Sequence, residues 1–262
     1  MAVAPDPSEI FERAVQEGER RLDQSLLELV ATSFIAGFTV VFGMLALGIV
    51  EGAFEPRFAE LAPIAGALAF GVGVVFLVVG RTELFNENFF DPVAKAVDAD
   101  DTWMVRPLLR LWVVTFSLNL VGGVLLIYLL SVEGALSKGA VHVLTETAVT
   151  IVHRPAAAEF AKAVTGGALV SLLSFMLEAV DSVASRIAVA YIVGVLLTLG
   201  VFDHVIVTIL HVLFGVFLGA NIGLGELAAT TAIVTAGNLA GGLGLVTLSH
   251  VAQVMGAQES GG

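Results

Sequence analysis

The apolar run Leu61–Val79 ends in Gly80-Arg81-Thr82-Glu83-Leu84-Phe85-Asn86-Glu87-Asn88. A second apolar run, Ile187–Leu199, ends similarly in Gly200-Val201-Phe202-Asp203-His204. An offset of 119 residues aligns Phe85 of the first interruption with His204 of the second. The sequence therefore predicts two halves, each containing an interrupted membrane helix, an arrangement typical of transport proteins whose pathway lies near the bilayer midplane.

The same offset joins two further segments, Asn119-Leu120-Val121-Gly122-Gly123 and Asn238-Leu239-Ala240-Gly241-Gly242. Small residues let helix backbones approach closely in lipid, where no hydrophobic force favours protein over lipid. We therefore assign Asn119 and Asn238 to helix packing, within a bundle closely packed by many of the 28 glycines.

Composition identifies an integral membrane protein. Apolar residues make up 57% of the chain, charged residues 14%, and the mean hydropathy is +0.95, whereas a soluble domain carries about 25% charged residues. Runs of about 20 apolar residues predict membrane-spanning helices. Six such runs predict an all-α bundle: Leu26–Val50, Leu61–Val79, Pro107–Ser131, Lys162–Glu178, Ile187–Leu218 and Leu227–Val254.

These runs divide the chain into three parts. Residues 1–25 form a cytoplasmic amphipathic segment that we expect to lie on the membrane surface, residues 26–255 form the membrane domain, and residues 256–262 form a disordered tail. The two repeat halves cover about residues 26–131 and 160–255. Helical spacing of apolar residues within 131–159 predicts a further helix on the outer face.

Several classes of function are excluded by composition. The chain has no cysteine, which removes disulfides and thiol chemistry. A net charge of −12 argues against nucleic acid as a partner. His204 and His211 have no carboxylate at ligand spacing, so we expect no metal and no other cofactor. A membrane-embedded enzyme is disfavoured because only these histidines and Asp203 supply reactive groups, and His211 is assigned to packing.

Basic residues near the helix ends predict the orientation. With the N-terminus inside the cell, seven lie on the cytoplasmic side, namely Arg13, Arg20, Arg21, Lys95, Arg106, Arg110 and Arg186, and four lie outside, namely Arg57, Lys138, Arg154 and Lys162. Both termini are therefore expected to be cytoplasmic.

The charged residues of the first interruption, Arg81, Glu83 and Glu87, are costly against lipid. They must pair with one another, face a lumen or lie at a mouth. Arg81 and Glu83 either clamp the loop to a neighbouring helix or contact a permeating molecule. His204 lies among apolar residues at the second interruption, and an imidazole titrates near neutral pH. We therefore expect His204 to act in a pathway.

Taken in order, these segments resemble the formate/nitrite transporter family over about residues 25–255, and in particular a branch whose first interruption reads Leu-Phe-Thr-Glu-Asn. The matching segments are Leu84-Phe85-Asn86-Glu87-Asn88, Phe202-Asp203-His204, Leu109-Arg110-Leu111-Trp112 and Ala236-Gly237-Asn238-Leu239-Ala240-Gly241-Gly242. The resemblance implies an aquaporin-like bundle of six helices in two inverted repeats, with broken second and fifth helices. It also implies a homopentamer in the plasma (inner) membrane.

The resemblance further implies passage of small monovalent anions or their conjugate acids, such as formate or nitrite. His204 matches the central histidine, which is expected to favour protonation in transit. The other matching positions are Phe70, Phe85 and Leu197 at apolar constrictions, Asn86 at the loop threonine, Thr208 at an asparagine, Glu87 at a small hydroxyl residue, and Arg154 or Lys162 near the vestibule lysine.

Two alternatives remain open. One is a neutral-solute channel of the aquaporin type, which shares the fold but normally carries paired Asn-Pro-Ala loops that this chain lacks. The other is a membrane protein that kept the fold without transporting.

Overall fold

The computed structural model describes residues 5–99 and 104–260, which are helical almost throughout. The helices are α1 (Pro7–Leu22), α2 (Leu26–Phe58), α3 (Ala62–Val79), α4 (Asp91–Asp98), α5 (Val105–Leu130), α6 (Lys138–Val152), α7 (Ala156–Glu178), α8 (Val183–Leu199), α9 (Val205–Phe217), α10 (Leu224–Leu239) and α11 (Leu248–Ser260). A 3₁₀ turn, Phe85–Phe89, precedes α4, and a π-helical segment, Ala240–Thr247, joins α10 to α11.

Five helical stretches in the described part of the chain are long and apolar enough to cross a membrane: α2, α3, α5, α7 and the continuous stretch Leu224–Gly256. The apolar helices α8 and α9 are shorter and follow one another across the second interruption. The prediction of an all-α membrane protein with two broken helices is confirmed.

The two interruptions share one backbone geometry. Arg81 and Val201 each adopt a left-handed conformation with φ of 51°. A residue in this conformation ends a right-handed helix, because helical residues have negative φ. The amide of Thr82 donates to the carbonyl of Leu77 at 3.3 Å, and the amide of Phe202 donates to that of Leu197 at 2.9 Å. Leu77, Arg81 and Thr82 each lie 120 residues before their counterparts Leu197, Val201 and Phe202. The two interruptions are therefore built in the same way.

This geometry corrects the alignment of the interruptions by one residue. At the structural offset of 120, the equivalent of His204 is Leu84, and not Phe85 as the sequence offset predicts. The asparagines keep the offset of 119 because the second half has one residue fewer between its interruption and Asn238 than the first half has before Asn119.

Asn119 and Asn238 hold the interruptions by matching hydrogen bonds. The Asn119 amide donates to the carbonyls of Ser33 and Glu83 at 2.8 and 2.9 Å, and its oxygen accepts from the Phe85 amide at 2.9 Å. Asn238 donates to the carbonyls of Ala163 and Asp203, both at 2.7 Å, and accepts from the Val205 amide at 2.7 Å. Non-helical backbone at membrane depth requires such partners, so these asparagines bind the interruptions as well as pack helices.

Helix α1 packs on the protein, whereas the sequence predicts a segment lying on the membrane surface. Its apolar face, Ile10, Ala14, Gly18 and Leu22, is buried, and the helix contacts α4, α5, α7 and α11. A Cβ on Gly18 would overlap the backbone of Asp91 at the start of α4. The close approach of these two backbones explains why the buried face includes a glycine.

The predicted helix within residues 131–159 is found, and the part of the tail up to Ser260, predicted to be disordered, is helical. Helix α6 lies within residues 131–159 and packs against α2 and α9, with Leu144 and Ala148 fully buried. Helix α11 extends to Ser260, beyond the predicted end of the membrane domain at residue 255. Residues 1–4 of the N-terminal segment and 261–262 of the tail lie outside the described residues.

Candidate functional site

A small central cavity lies between the two interruptions. Its volume is about 10 Å³, which is about the space that one water molecule needs. Both halves contribute to its wall, which is aliphatic except at two positions; the lining residues are Val40, Val74, Leu77, Leu84, Glu87, Val170, Leu173, Val193, Leu197, His204 and Val207.

The lining follows the pseudo-symmetry of the two halves. Leu77 is equivalent to Leu197, Leu84 to His204, and Glu87 to Val207, all at the offset of 120. The first half supplies the polar residue Glu87, whose equivalent in the second half is the apolar Val207. The second half supplies the polar residue His204, whose equivalent in the first half is the apolar Leu84. Each half therefore supplies one polar side chain, from a different position, to an otherwise apolar cavity.

His204 is held as the N-cap of α9. Its Nδ1 accepts from the backbone amide of Val207 at 3.4 Å, so the proton of the neutral ring lies on Nε2. Nε2 is buried and has no hydrogen-bond partner among the described residues. The ring therefore presents a free N–H donor, and its residue is 1% exposed.

Glu87 lies in the 3₁₀ turn that follows the first interruption. Its backbone carbonyl accepts from the Ser174 hydroxyl at 3.0 Å and from Arg21 at 3.1 Å. Its Oε1 is buried without a hydrogen-bond partner among the described residues, and the residue is 4% exposed. Glu87 lines both the central cavity and a wider cavity beside α1, so it stands at the boundary between the two.

The cavity beside α1, here called the α1-side cavity, has a volume of about 380 Å³. Its charged lining residues are Glu17, Arg20, Arg21, Arg81, Glu83, Glu87, Glu178 and Arg186. Glu83 accepts from Arg20 at 3.1 Å and from Gln24 at 2.9 Å. Glu83 therefore ties the first interruption to Arg20 of α1 and to Gln24. Arg81 lies 3.9 Å from Glu17, and its side chain is largely exposed.

Two ionisable residues of α1, Glu17 and Arg21, have shifted pKa values. Burial raises the pKa of Glu17, but hydrogen bonds from Arg20 and Arg21 and their charges outweigh burial and lower this pKa to about 2. Burial lowers the pKa of Arg21, but the charges of the surrounding carboxylates, led by Glu83 and Asp91, together outweigh burial and raise it. Arg21 lies 3.3 Å from Asp91, so α1 is tied to α4 as well as to the interruption.

A third cavity opens on the opposite side, between α2 and α6, and is called the α6-side cavity. Its volume is about 250 Å³, and its ionisable lining residues are Glu51, Glu55, His142, Glu146 and Arg154. Arg154 donates to both carboxylate oxygens of Asp203, at 2.8 and 2.7 Å. Arg154 therefore reaches this mouth as half of an ion pair, beside three glutamates.

The remaining predicted site residues lie around the cavities. Phe70 stacks on His211 at a ring distance of 6.4 Å, and Phe85 packs edge-on against Phe89 and Phe116. The Lys162 amine donates to the Val201 carbonyl at 3.2 Å, where α8 ends. Neither aromatic residue is among those that line the central cavity.

Two polar residues connect the interruptions to their supports. The Asn86 amide donates to the side-chain oxygen of Asn238 at 2.6 Å, which links the first interruption to the second half. The Thr208 hydroxyl lies 3.4 Å from the Asp203 carboxylate. Among the described residues, no set of three or more His, Asp or Glu side chains is placed to hold a metal ion.

Sequence reasoning missed Leu77 and Leu84 in the cavity wall. It also missed Arg20, Arg21 and Asp91 in the cluster of charged residues that joins α1 to the first interruption and to α4. The signal for the two leucines was present in the repeat: Leu77 and Leu84 take the places of Leu197 and His204 at an offset of 120. For the cluster, no sequence spacing indicates that α1 contacts the first interruption.

The chain is similar to known proteins in both sequence and fold. The model of the formate/nitrite transporter family matches residues 8–252. The inner membrane protein YfdC of Escherichia coli is 24% identical over 94% of this chain and 78% of that protein. A probable formate transporter of Methanothermobacter thermautotrophicus is 26% identical over 82% of this chain and 84% of that protein.

Two solved structures share the fold. A chain described as an FNT family ion channel superposes with a TM-score of 0.79 at 18% identity, covering 93% of this chain and 98% of that chain. A pentameric formate channel with formate bound superposes with a TM-score of 0.73 at 19% identity, covering 92% and 98%. This aquaporin-like helical fold is the one that the sequence resemblance implied.

Proposed function

The chain belongs to the formate/nitrite transporter family, and we propose that it conducts small monovalent anions or their conjugate acids, such as formate or nitrite. The observation that carries the proposal is the placement of His204. His204 lines an apolar cavity that lies between a cavity beside α1 and a cavity beside α6, and its Nε2 is buried without a hydrogen-bond partner among the described residues. One similar protein is a formate channel of Bacillus thuringiensis, 26% identical over 51% of each chain.

The apolar wall selects for neutral species. Idealised transfer of a small ion from water into a medium of dielectric constant about 4 costs about 20 kcal/mol, whereas a neutral acid of the same size costs far less. Leu197 and its equivalent Leu77 supply aliphatic side chains to the cavity wall, and the buried rings of Phe70 and Phe85 add apolar material to the surrounding bundle. A molecule therefore crosses as the acid, or with its charge balanced, and the Nε2–H of His204 binds its oxygen.

The supporting residues keep this geometry. Asn86 and Asn238 hold the first interruption beside the second, and Thr208 stabilises the start of α9 through the Asp203 carboxylate. Arg154 and Lys162 serve the α6-side mouth, where each also stabilises the second interruption through the contacts described above.

The assembly we propose is a homopentamer in the plasma membrane, with one pathway in each protomer and both termini in the cytoplasm. The α1-side cavity then opens to the cytoplasm, and the α6-side cavity opens outward. The excess of basic residues on the N-terminal side supports this orientation.

The test is uptake of formate, nitrite and acetate into proteoliposomes between about pH 5 and 8, where an imidazole titrates. We expect saturable flux that rises with acidity. In His204→Asn, which cannot titrate but retains an N-cap side chain, the flux loses this dependence. His204→Ala serves as a second variant that also loses the cap. An unchanged pH dependence in both variants would refute the role of His204.

A neutral-solute channel is the second candidate, favoured by the size of the central cavity, which matches one water molecule. Water permeability measured by stopped-flow light scattering on the same proteoliposomes separates the two. Fast water flow without anion-dependent flux supports the second candidate. Absence of both supports a protein that kept the fold without transporting.

A further inference from the structure

The central cavity contains a second polar group that the pathway described so far does not use. Glu87 and His204 are the two polar side chains of its wall, and the Oε1 of Glu87 and the Nε2 of His204 are both buried without a hydrogen-bond partner among the described residues. A buried polar group without a partner is destabilising, because it has lost its hydrogen bonds to water and gained none in return. Two such groups on one cavity indicate that both are meant to bind a molecule that occupies it.

The chemistry of the pair specifies this molecule. His204 presents a donor, because its Nδ1 accepts from the Val207 amide and its ring proton lies on Nε2. A carboxylate accepts hydrogen bonds, and a protonated carboxyl also donates one. A small acid with adjacent hydroxyl and oxo groups is complementary to both: its oxo oxygen accepts from Nε2–H, and its O–H donates to Glu87.

We propose that Glu87 exchanges a proton with the permeating acid at the boundary between the α1-side cavity and the central cavity, so that the molecule enters the central cavity neutral. This inference rests on the proposed function and assigns to Glu87 a role that is separate from that of His204.

The proton balance of the step is simple. An anion arriving from the α1-side cavity receives the proton of the Glu87 carboxyl: the O–H bond of Glu87 breaks, and an O–H bond forms on the permeant. The neutral acid moves into the central cavity, and the Glu87 carboxylate regains a proton from water in the α1-side cavity, which it also lines. One proton therefore crosses with each anion, and passage in the opposite direction reverses the steps.

Charged groups on every neighbouring element set the field at Glu87. The charged groups that line the α1-side cavity with Glu87 are Glu17, Arg20 and Arg21 on α1, Arg81 and Glu83 in the interruption, Glu178 on α7 and Arg186 on α8. Arg20 and Arg21 bind Glu17, Glu83 and Asp91 directly. No ion pair within 4.0 Å is formed by the Glu87 carboxylate in the described part of the chain, so its proton is not displaced by a fixed partner.

The second half of the protein supplies an informative variant. Glu87→Val copies Val207, the residue at the equivalent position, and thus makes the two halves alike there, while Glu87→Gln keeps the size and polarity but carries no exchangeable acid. Glu159→Gln is the matched control. Glu159 is also buried, at 3% exposure, with one unpartnered oxygen, but it lines neither the central cavity nor the α1-side cavity.

The experiment measures formate flux and proton movement together, using labelled formate and an entrapped pH dye in proteoliposomes of the full-length chain. In wild type and Glu159→Gln, we expect one proton for each formate ion. In Glu87→Gln, formate flux at neutral pH falls by at least about tenfold, a lower bound set below the roughly 10²–10⁴-fold that a positioned proton donor contributes. Flux recovers at acidic pH, where solution supplies the neutral acid. Glu87→Asp restores part of the flux at neutral pH.

The outcomes separate this inference from the proposed function. If wild type conducts formate and Glu87→Gln has the same pH profile, the inference is overturned and the proposed function stands. If wild type conducts nothing, proton uptake on adding formate to the purified protein in detergent decides. Uptake that is lost in Glu87→Gln alone supports the inference, and its absence in wild type overturns both. Retention volume on gel filtration shows that each variant is folded.

Discussion

Replacing Asn238 with alanine removes the largest set of hydrogen bonds made by any one side chain at the second interruption. Four bonds are lost: two donated to the carbonyls of Ala163 and Asp203, and two accepted from the amides of Val205 and Asn86. Measured hydrogen bonds in membrane proteins average about 0.6 kcal/mol, and the upper value for ordinary hydrogen bonds is about 1.5 kcal/mol. Four bonds therefore correspond to about 2–6 kcal/mol of unfolding free energy.

The repeat provides a matched comparison. Asn119 makes three of the corresponding bonds and lacks the fourth. We expect Asn119→Ala to cost less than Asn238→Ala by one bond, about 0.6–1.5 kcal/mol. Asn238→Asp keeps the shape but turns an oxygen toward two carbonyl oxygens, so it destabilises at least as much as the alanine variant. Asn221, exposed between α9 and α10, provides a control alanine variant with little effect.

Reversible unfolding in mixed micelles, followed by tryptophan fluorescence, measures these differences. A cost below about 0.5 kcal/mol for Asn238→Ala, the usual range for surface substitutions, would refute the reasoning. So would a larger cost for Asn119→Ala than for Asn238→Ala.

Three further predictions concern other contacts. Arg154→Gln leaves the Asp203 carboxylate buried and unpaired and should cost about 3–5 kcal/mol, whereas adding Asp203→Asn recovers most of this loss in the same unfolding assay. Gly167→Ala places a Cβ against backbone atoms of α10 and should cost at least about 1–3 kcal/mol, while Gly225→Ala, with nothing within 4 Å of the added carbon, leaves stability unchanged or slightly raised. Burial raises the pKa of Glu17, but its arginine partners outweigh burial and lower this pKa from 4.5 to about 2. The stability that Glu17 contributes is therefore complete above pH 4.5 and is lost as the pH falls toward 2. Glu17→Gln should therefore be less stable than wild type at neutral pH and equally stable near the acid end of an acid-unfolding titration, and a constant difference across that range would contradict this assignment.

Much of the fold was predictable because its main signal is local. A glycine followed within three residues by a charged side chain, inside an apolar run, indicates a helix end at both interruptions, Gly80-Arg81 and Gly200-Val201-Phe202-Asp203. The alignment between the halves was harder to predict, because the asparagines are 119 residues apart whereas the equivalent residues of the interruptions are 120 residues apart. Only the backbone geometry at Arg81 and Val201 shows which offset applies to the cavity.

The candidate site was less predictable because its contacts join distant segments. The direction of the Glu87 side chain cannot be inferred from helical periodicity, since it lies in a short turn after an interruption. Arg154 and Asp203 were both noticed in the sequence, but 49 residues separate them, and no pattern indicates that they pair. The amphipathic pattern of α1 shows that one face is covered, but not whether lipid or protein covers it.

The docking of α1 has a consequence for how the protein is made. This helix is synthesised before its partners Glu83, Asp91 and Glu178, which come from later segments of both halves. Its burial is therefore complete only after α7 has entered the membrane. During biogenesis α1 remains open to proteases until that moment, so protection of α1 from proteolysis reports that the two halves have come together.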